Sequence, residues 1–215
     1  MITDSKRVRD HFYCKKSLKV ICLIQISKEV LFYMKKIYEN IERILISKSE
    51  LSERIKELGT QITKDFEGEE IIVIGVLKGS VLFLTDLIRK IDLPMDIDFM
   101  VVSSYANSTE TSGNVKIIKD INIDVANKNV IIVEDIIDTG LTMHNLKEIF
   151  GVRDCKNFKI CTLLDKKERR KIDIEADYVG FDVPNEFVVG YGLDYDGKYR
   201  NLEDIGVLKP EIYNK

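Results

Sequence analysis

Two short stretches of this chain carry no polar side chain at all: residues 71–77, IIVIGVL, and residues 130–133, VIIV. A strand with one wet face alternates apolar and polar residues, so unbroken apolar runs of this length belong to strands buried on both faces. Such strands occur in parallel sheets with helices on either side. The neighbouring sequence supplies those helices. Ser47-Lys48-Ser49-Glu50 fits a capping box, after which Leu51, Ile55, Leu58 and Ile62 recur at helical spacing. Gly68 closes the connection to the first run. Beyond that run, Ser80 can cap a second helix with Val81, Leu84, Leu87 and Ile88 inward. Further strands are predicted over 97–102, 115–118, 158–164, 178–181 and 187–189, with a polar, turn-rich loop at 107–114. Strands alternating with helices predict an α/β fold: a mostly parallel central sheet flanked by helices, with ligands outside the carboxyl ends of its strands.

With 215 residues, 45% hydrophobic and 32% charged, the chain can bury one sizeable core. The net charge of −3 argues against general binding to nucleic acid or anionic membranes, and no apolar stretch is long enough to span a bilayer. Cys14, Cys22, Cys155 and Cys161 form no CxxC pair, and the chain has only two histidines, His11 and His144. That argues against structural zinc and a disulfide framework, and for reduced thiols in a cytoplasmic protein. Residues 1–33 read differently from the rest. Lys15, Lys16 and Lys19 precede an apolar run at 20–26, but Lys28 and Glu29 cut that run short and no cleavage site appears. Lys28-Glu29-Val30 can be encoded by codons that read as a bacterial ribosome-binding site, three residues before Met34. The expectation is that Met34 is the natural start, 1–33 a non-native extension, and 34–215 a single domain.

The second apolar run leads into Glu134-Asp135, two apolar residues, and then Asp138-Thr139-Gly140-Leu141-Thr142. Gly140 lets the backbone turn tightly and approach a ligand. Thr139 and Thr142 supply hydroxyls, and the next helix offers unpaired N–H groups and its positive dipole end. Together these make a phosphate cradle. Asp138 can in addition cap that helix. Glu134 and Asp135 can accept hydrogen bonds from vicinal sugar hydroxyls or lie beside a metal. The Asp-Thr-Gly triplet occurs once, whereas aspartic proteases need two carboxyls sharing a proton.

The thirteen residues VIIVEDIIDTGLT resemble the phosphoribosyl-diphosphate motif of type I phosphoribosyltransferases, and the resemblance extends over nearly all of 34–215. Segments 77–80, 103–105, 163–166 and 187–195 fall in the family's order. Lys166 with 187–194 is similar to the bacterial hypoxanthine (hypoxanthine-guanine) branch. The resemblance implies the type I fold with a small hood subdomain. It implies transfer of a 5-phosphoribosyl group from phosphoribosyl diphosphate to hypoxanthine and guanine, forming IMP or GMP and pyrophosphate in purine salvage. It also implies Mg2+ and a homodimer or homotetramer. Carried over position by position, Glu134, Asp135, Asp138, Thr139, Gly140, Leu141 and Thr142 bind the phosphoribosyl group, and Asp138 accepts the purine's proton. Lys78, Gly79, Ser104, Tyr105 and Arg200 face the diphosphate, where a non-proline cis peptide entering Lys78 is common. Lys166, Phe187, Val188 and Asp194 serve the purine side, with Lys166 donating to the 6-oxo group and so selecting against adenine. Glu134, Asp135 and Asp194 address magnesium, and the loop at 105–114 closes over the site. Leu141 departs from members that carry Lys there, which implies that backbone and threonine hydroxyls hold the phosphate. Two alternatives stay open: a nucleotide-sensing, RNA-binding regulator on this fold, which the acidic charge disfavours, and a xanthine-preferring enzyme.

Overall fold

The computed structural model describes residues 36–104 and 115–214. The chain divides into two compact units, Met1–Glu42 and Arg43–Lys215. In the first, residues 36–38 are helical and lead through a turn to the start of strand β1 (Ile41–Ile46), most of which, from Arg43 on, belongs to the second. The expected extension at 1–33, Tyr105 and the loop at 107–114 lie outside the described residues.

The second unit continues with α1 (Lys48–Asp65), β2 (Ile71–Leu77), α2 (Val81–Ile88), β3 (Met95–Ser104), β4 (Val115–Lys119) and β5 (Asn129–Ile137). Then come α3 (Leu141–Gly151), β6 (Asn157–Asp165), a 3-10 turn (Lys167–Arg169), β7 (Tyr178–Asp182), β8 (Val188–Val189), β9 (Ile205–Leu208) and α4 (Pro210–Tyr213). The main sheet has the order β4-β3-β2-β5-β6-β7. All neighbours are parallel except β3 and β4. A second sheet has three strands in the order β1-β9-β8.

The apolar runs occupy the two central strands, and both faces are covered. Ile71 and Val73 of β2 and Ile131 and Val133 of β5 pack with Leu51, Ile55, Leu58 and Ile62 of α1 and Phe83, Leu84 and Leu87 of α2. The alternate residues, Ile72, Ile74, Val76, Val130 and Ile132, pack with Met143, Leu146 and Phe150 of α3. Each such buried side chain is worth about 1.5–3 kcal/mol in transfer free energy, so the two central strands anchor the domain. Helix α1 opens on the predicted capping box: Ser47 N donates to Glu50 Oε2 at 2.8 Å, and Glu50 N donates to Ser47 Oγ at 3.4 Å. Arg54 ties α1 to β7 by donating to the carbonyls of Val179 and Gly180.

Two local expectations are corrected. Ser80 occupies the position before α2 but has helical backbone angles and makes no cap. Its hydroxyl is fully buried and donates instead to Val76 O at 2.6 Å, near the end of the preceding strand. Strand β5 also does not stop at Val133. It pairs with β6 through Glu134 opposite Thr162, Ile136 opposite Leu164 and Ile137 opposite Asp165. The two carboxylates are therefore part of a strand, and the strand changes phase at them. Val133 and Ile136 face one core, while Ile132 and Ile137 face the other, so the in–out alternation slips by one position between 133 and 136.

Candidate active site

That slip brings two consecutive acidic side chains together, where a regular strand would send them to opposite faces. Glu134 and Asp135 interact directly, and Glu134 Oε2 is buried with no hydrogen-bond partner among the described residues. Burial pushes the Glu134 carboxyl well above the usual carboxylate range, reinforced by the neighbouring Asp135 charge. Burial also pushes Asp135 up to about 6, opposed by the N–H of Ile136 and the positive charge of Arg200. Two half-buried acids side by side are costly when ionised, and such perturbed pairs cluster at functional sites.

Residues 138–142 form the turn from β5 into α3. Gly140 takes the N-terminal position of the helix at φ 85° and has no side chain to cap it, while Thr139 Oγ1 accepts from the Leu141 N–H at 3.4 Å. Asp138 is therefore not a cap. Its carboxylate lies two residues too early and points elsewhere. A side chain at Gly140 would meet Ile174 Cγ2 at 2.8 Å and Arg170 Cδ at 2.9 Å, so packing and backbone both require glycine. Glu134, Asp138, Thr139, Gly140 and Thr142 line a small cleft of 80 Å³. The domain's roomier clefts, of 390 and 400 Å³, are lined by other residues (Lys48, Arg89 and Tyr191 in one, Asn129, Asn157 and Asp177 in the other). Chemistry rather than size singles out the smaller one. Among the described residues it alone combines orphaned carboxylate oxygens, a left-handed glycine and a helix N-terminus at the carboxyl end of a central strand.

The segment after β6 is laid against this turn. Lys166 N donates to Ile137 O at 2.9 Å and Lys171 N to Thr139 O at 3.0 Å. Arg170 anchors the segment through Asp165 and the carbonyl of Ile174. Lys166 is only 6% exposed. Burial lowers its pKa, while the charges of Asp138 and Glu186 support its protonation. Arg169 Nε lies 3.2 Å from Asp138 Oδ1. That oxygen nevertheless has no hydrogen-bond partner among the described residues, so the approach is ionic without donor alignment.

On the other side of Asp135 lies the Lys78-Gly79 turn. The Leu77–Lys78 peptide is cis, as the resemblance anticipates. Gly79 fits against Asp135 so closely that a Cβ would sit 1.5 Å from Oδ2. A Cβ on Gly192 would sit 2.0 Å from Gly79 O, and Arg200 Nη1 donates to Gly192 O at 2.6 Å. Arg200 also pairs with Asp194 at 2.6 Å, and both charges act on Asp135. Asp135, Gly79, Gly192, Arg200 and Asp194 are thus one contiguous chain of contacts. Phe187 is 37% exposed, with one ring face stacked on Tyr213 at 4.9 Å and the Tyr195 ring perpendicular to it at 5.6 Å. Val188 is buried beside it. Ser104 ends β3 and Tyr105 lies outside the described residues. Sequence reasoning missed Arg169, Gly192 and Tyr213. The Gly-Tyr-Gly triplet could have flagged Gly192, but nothing local flags the other two.

Comparison with known proteins gives the family. The phosphoribosyl transferase domain matches residues 40–196. The hypoxanthine-guanine phosphoribosyltransferase of Streptococcus thermophilus is 53% identical over 177 residues, covering 82% of this chain and 98% of that protein. The bifunctional protein TilS/HprT of Listeria monocytogenes is 53% identical over 178 residues, 83% of this chain, but the chain spans only 28% of its length. A crystal structure of a hypoxanthine phosphoribosyltransferase from Staphylococcus aureus superimposes with a TM-score of 0.81 at 49% identity, covering 83% of this chain and 97% of that one. A parallel sheet ending in paired carboxylates, a left-handed glycine turn and a family match across most of its length together make this chain a member of the type I phosphoribosyltransferase family.

Proposed function

We propose that this chain transfers the 5-phosphoribosyl group of phosphoribosyl diphosphate to hypoxanthine and guanine, releasing pyrophosphate, as a purine-salvage enzyme of the cytoplasm acting as a homodimer or homotetramer. The observation that carries the reading is the position of Asp138. Its carboxylate belongs to the turn that enters a phosphate-type helix N-terminus and acts electrostatically on the buried side chain of Lys166. The names of the S. thermophilus and S. aureus relatives support hypoxanthine or guanine as the acceptor over either alternative.

In this reading Thr139, Gly140, Leu141 and Thr142 hold the 5′-phosphate through backbone N–H groups and hydroxyls. Glu134 and Asp135 accept from the ribose hydroxyls. Lys78, Gly79 and Arg200, together with Ser104 and Tyr105, face the diphosphate. Lys166 donates to the purine 6-oxo group, which a 6-amino group would repel as a second donor. Phe187 stacks on the base, and Val188 meets the purine edge through its backbone. As the purine nitrogen attacks the anomeric carbon and the C–O bond to pyrophosphate breaks, the nitrogen's proton passes to the Asp138 carboxylate.

The carboxylates fit magnesium. Glu134 and Asp135 are adjacent and half-buried, and one buried oxygen lacks any partner among the described residues, an arrangement that a divalent cation relieves. Among the described residues no three carboxylate, histidine or cysteine side chains form a cage, which suits an ion completed by substrate oxygens and water. Glu134, Asp135 and Asp194 would hold it. Bound magnesium supplies charge neutralisation of the diphosphate. Asp194 is meanwhile oriented by Arg200 and by the N–H of Gly197 at 2.7 Å.

The test is pyrophosphate release from phosphoribosyl diphosphate with magnesium, using hypoxanthine, guanine, xanthine and adenine in turn. Turnover of hypoxanthine and guanine is expected. Turnover of neither hypoxanthine nor guanine overturns the proposal.

A further inference from the structure

We infer that Arg169 is a positioning residue for Asp138: it covers one carboxylate oxygen and thereby turns the other toward the base. The inference rests on the proton-acceptor reading of Asp138. The 3-10 turn that carries Arg169 is not a free surface loop. Its flanks grip the backbone on both sides of Asp138, through Lys166 N to Ile137 O at 2.9 Å and Lys171 N to Thr139 O at 3.0 Å. Within the turn, Arg169 N donates to Lys166 O at 3.1 Å. Arg170, locked onto Asp165 and Ile174 O, prevents the segment from lifting away. The freedom left to Arg169 is that of its own side chain, which lays Nε 3.2 Å from Asp138 Oδ1.

The two oxygens of Asp138 are consequently unequal. Oδ1 is buried, yet the side chain as a whole is 35% exposed, so the exposure falls outside Oδ1. A carboxylate free to rotate about χ2 presents either oxygen, because that torsion is broad and two-fold. Arg169 removes the degeneracy by pairing ionically with one oxygen. Since its N–H does not align with Oδ1, the contact orients Asp138 without consuming its hydrogen-bonding capacity. Lys166 is another cation acting on Asp138, but it is buried and assigned to the purine. Arg169 is half exposed and free of that duty.

The test is a double-mutant cycle between Arg169→Gln and Asp138→Asn, read as steady-state kinetics with magnesium, phosphoribosyl diphosphate and hypoxanthine. Exposed ion pairs are weak, so Arg169→Gln should lower kcat about two- to fivefold and leave the KM for phosphoribosyl diphosphate unchanged. Arg169→Lys should recover part of the loss. In the Asp138→Asn background, Arg169→Gln should have no further effect, since the group it orients is gone. If Asp138→Asn lowers kcat strongly but Arg169→Gln lowers it equally in both backgrounds, or not at all, Arg169 does not act through Asp138 and the inference fails alone. If Asp138→Asn leaves kcat intact, the proton-acceptor reading fails and takes this inference with it.

Discussion

Replacing Asp135 with asparagine should make the metal-free protein more stable at neutral pH while crippling its grip on the donor. In the folded chain burial raises this carboxyl from 3.8 to about 6, against the opposing N–H of Ile136 and the charge of Arg200. The sign comes from linkage. A raised native pKa means that the folded state holds the proton more tightly than the unfolded state, so the associated stability is complete below 3.8 and is lost as pH rises through about 6. At about 1.4 kcal/mol per pH unit, the ionised side chain costs the fold at most roughly 3 kcal/mol. Partial solvent access reduces that to about 1–3 kcal/mol, given how strongly exposure screens charge. Asparagine keeps the oxygen that accepts from Ile136 at 2.9 Å and carries no charge to desolvate. Urea unfolding with a chelator present should show the variant ahead by this margin at about pH 8 and level with the parent near pH 4. Magnesium with phosphoribosyl diphosphate should then restore the parent and not the variant, because only a state that binds ligand gains from mass action. A variant no more stable than the parent across this range would refute the claim that Asp135 is held at a desolvation cost. A gain independent of pH would refute its attribution to ionisation.

Three further outcomes can be checked. Gly79→Ala would set a Cβ 1.5 Å from Asp135 Oδ2, so donor kcat/KM should fall by at least about tenfold, the scale of a small displacement at a reacting centre, with melting temperature the control. Lys166→Met keeps the length of a nearly buried side chain and removes its donor. The KM for hypoxanthine should rise roughly 10- to 100-fold with that for phosphoribosyl diphosphate unchanged, as expected for a charged hydrogen bond worth about 1.5–3 kcal/mol. Burial tends to raise the Asp98 carboxyl, but the N–H groups of Asn122, Phe99 and Ile123 and the charge of Lys119 prevail and lower it. Asp98→Asn should therefore destabilise at neutral pH, and the deficit should vanish as pH falls through the folded value below 3.8, as acid unfolding curves would show.

The central strands were legible because burial on both faces leaves an unmistakable trace: residues 71–77 and 130–133 need no polar side chain anywhere. The capping box of α1 was legible because it is local, four residues answering one another across a single turn. What escaped was non-local or broke the pattern. Strand β5 reads as ending at Glu134 because its side chains turn polar, although its backbone pairing continues to Ile137. The small sheet joins β1 to β9, strands more than a hundred and fifty residues apart that carry no mutual mark.

The site divides in the same way. Asp138 to Thr142 could be read as a phosphate turn because glycine, hydroxyls and a following helix state their purpose locally. The segment Asp165–Lys171 could not, since five of its seven side chains are Lys or Arg and read as a solvated face. Lys167 and Arg169 are indeed exposed, while Lys166 between its neighbours is buried. What separates them is the pair of backbone bonds to Ile137 and Thr139, which pin this run across the turn carrying Asp138. Backbone donors are the same in every residue, so no choice of side chain announces that pairing. The one local consequence it leaves is Gly140, which must lack a side chain because Arg170 and Ile174 fill the space above it. The glycine that reads as part of a phosphate cradle is also the imprint of the segment that carries Lys166. This is why a single short motif carried information about both halves of the site.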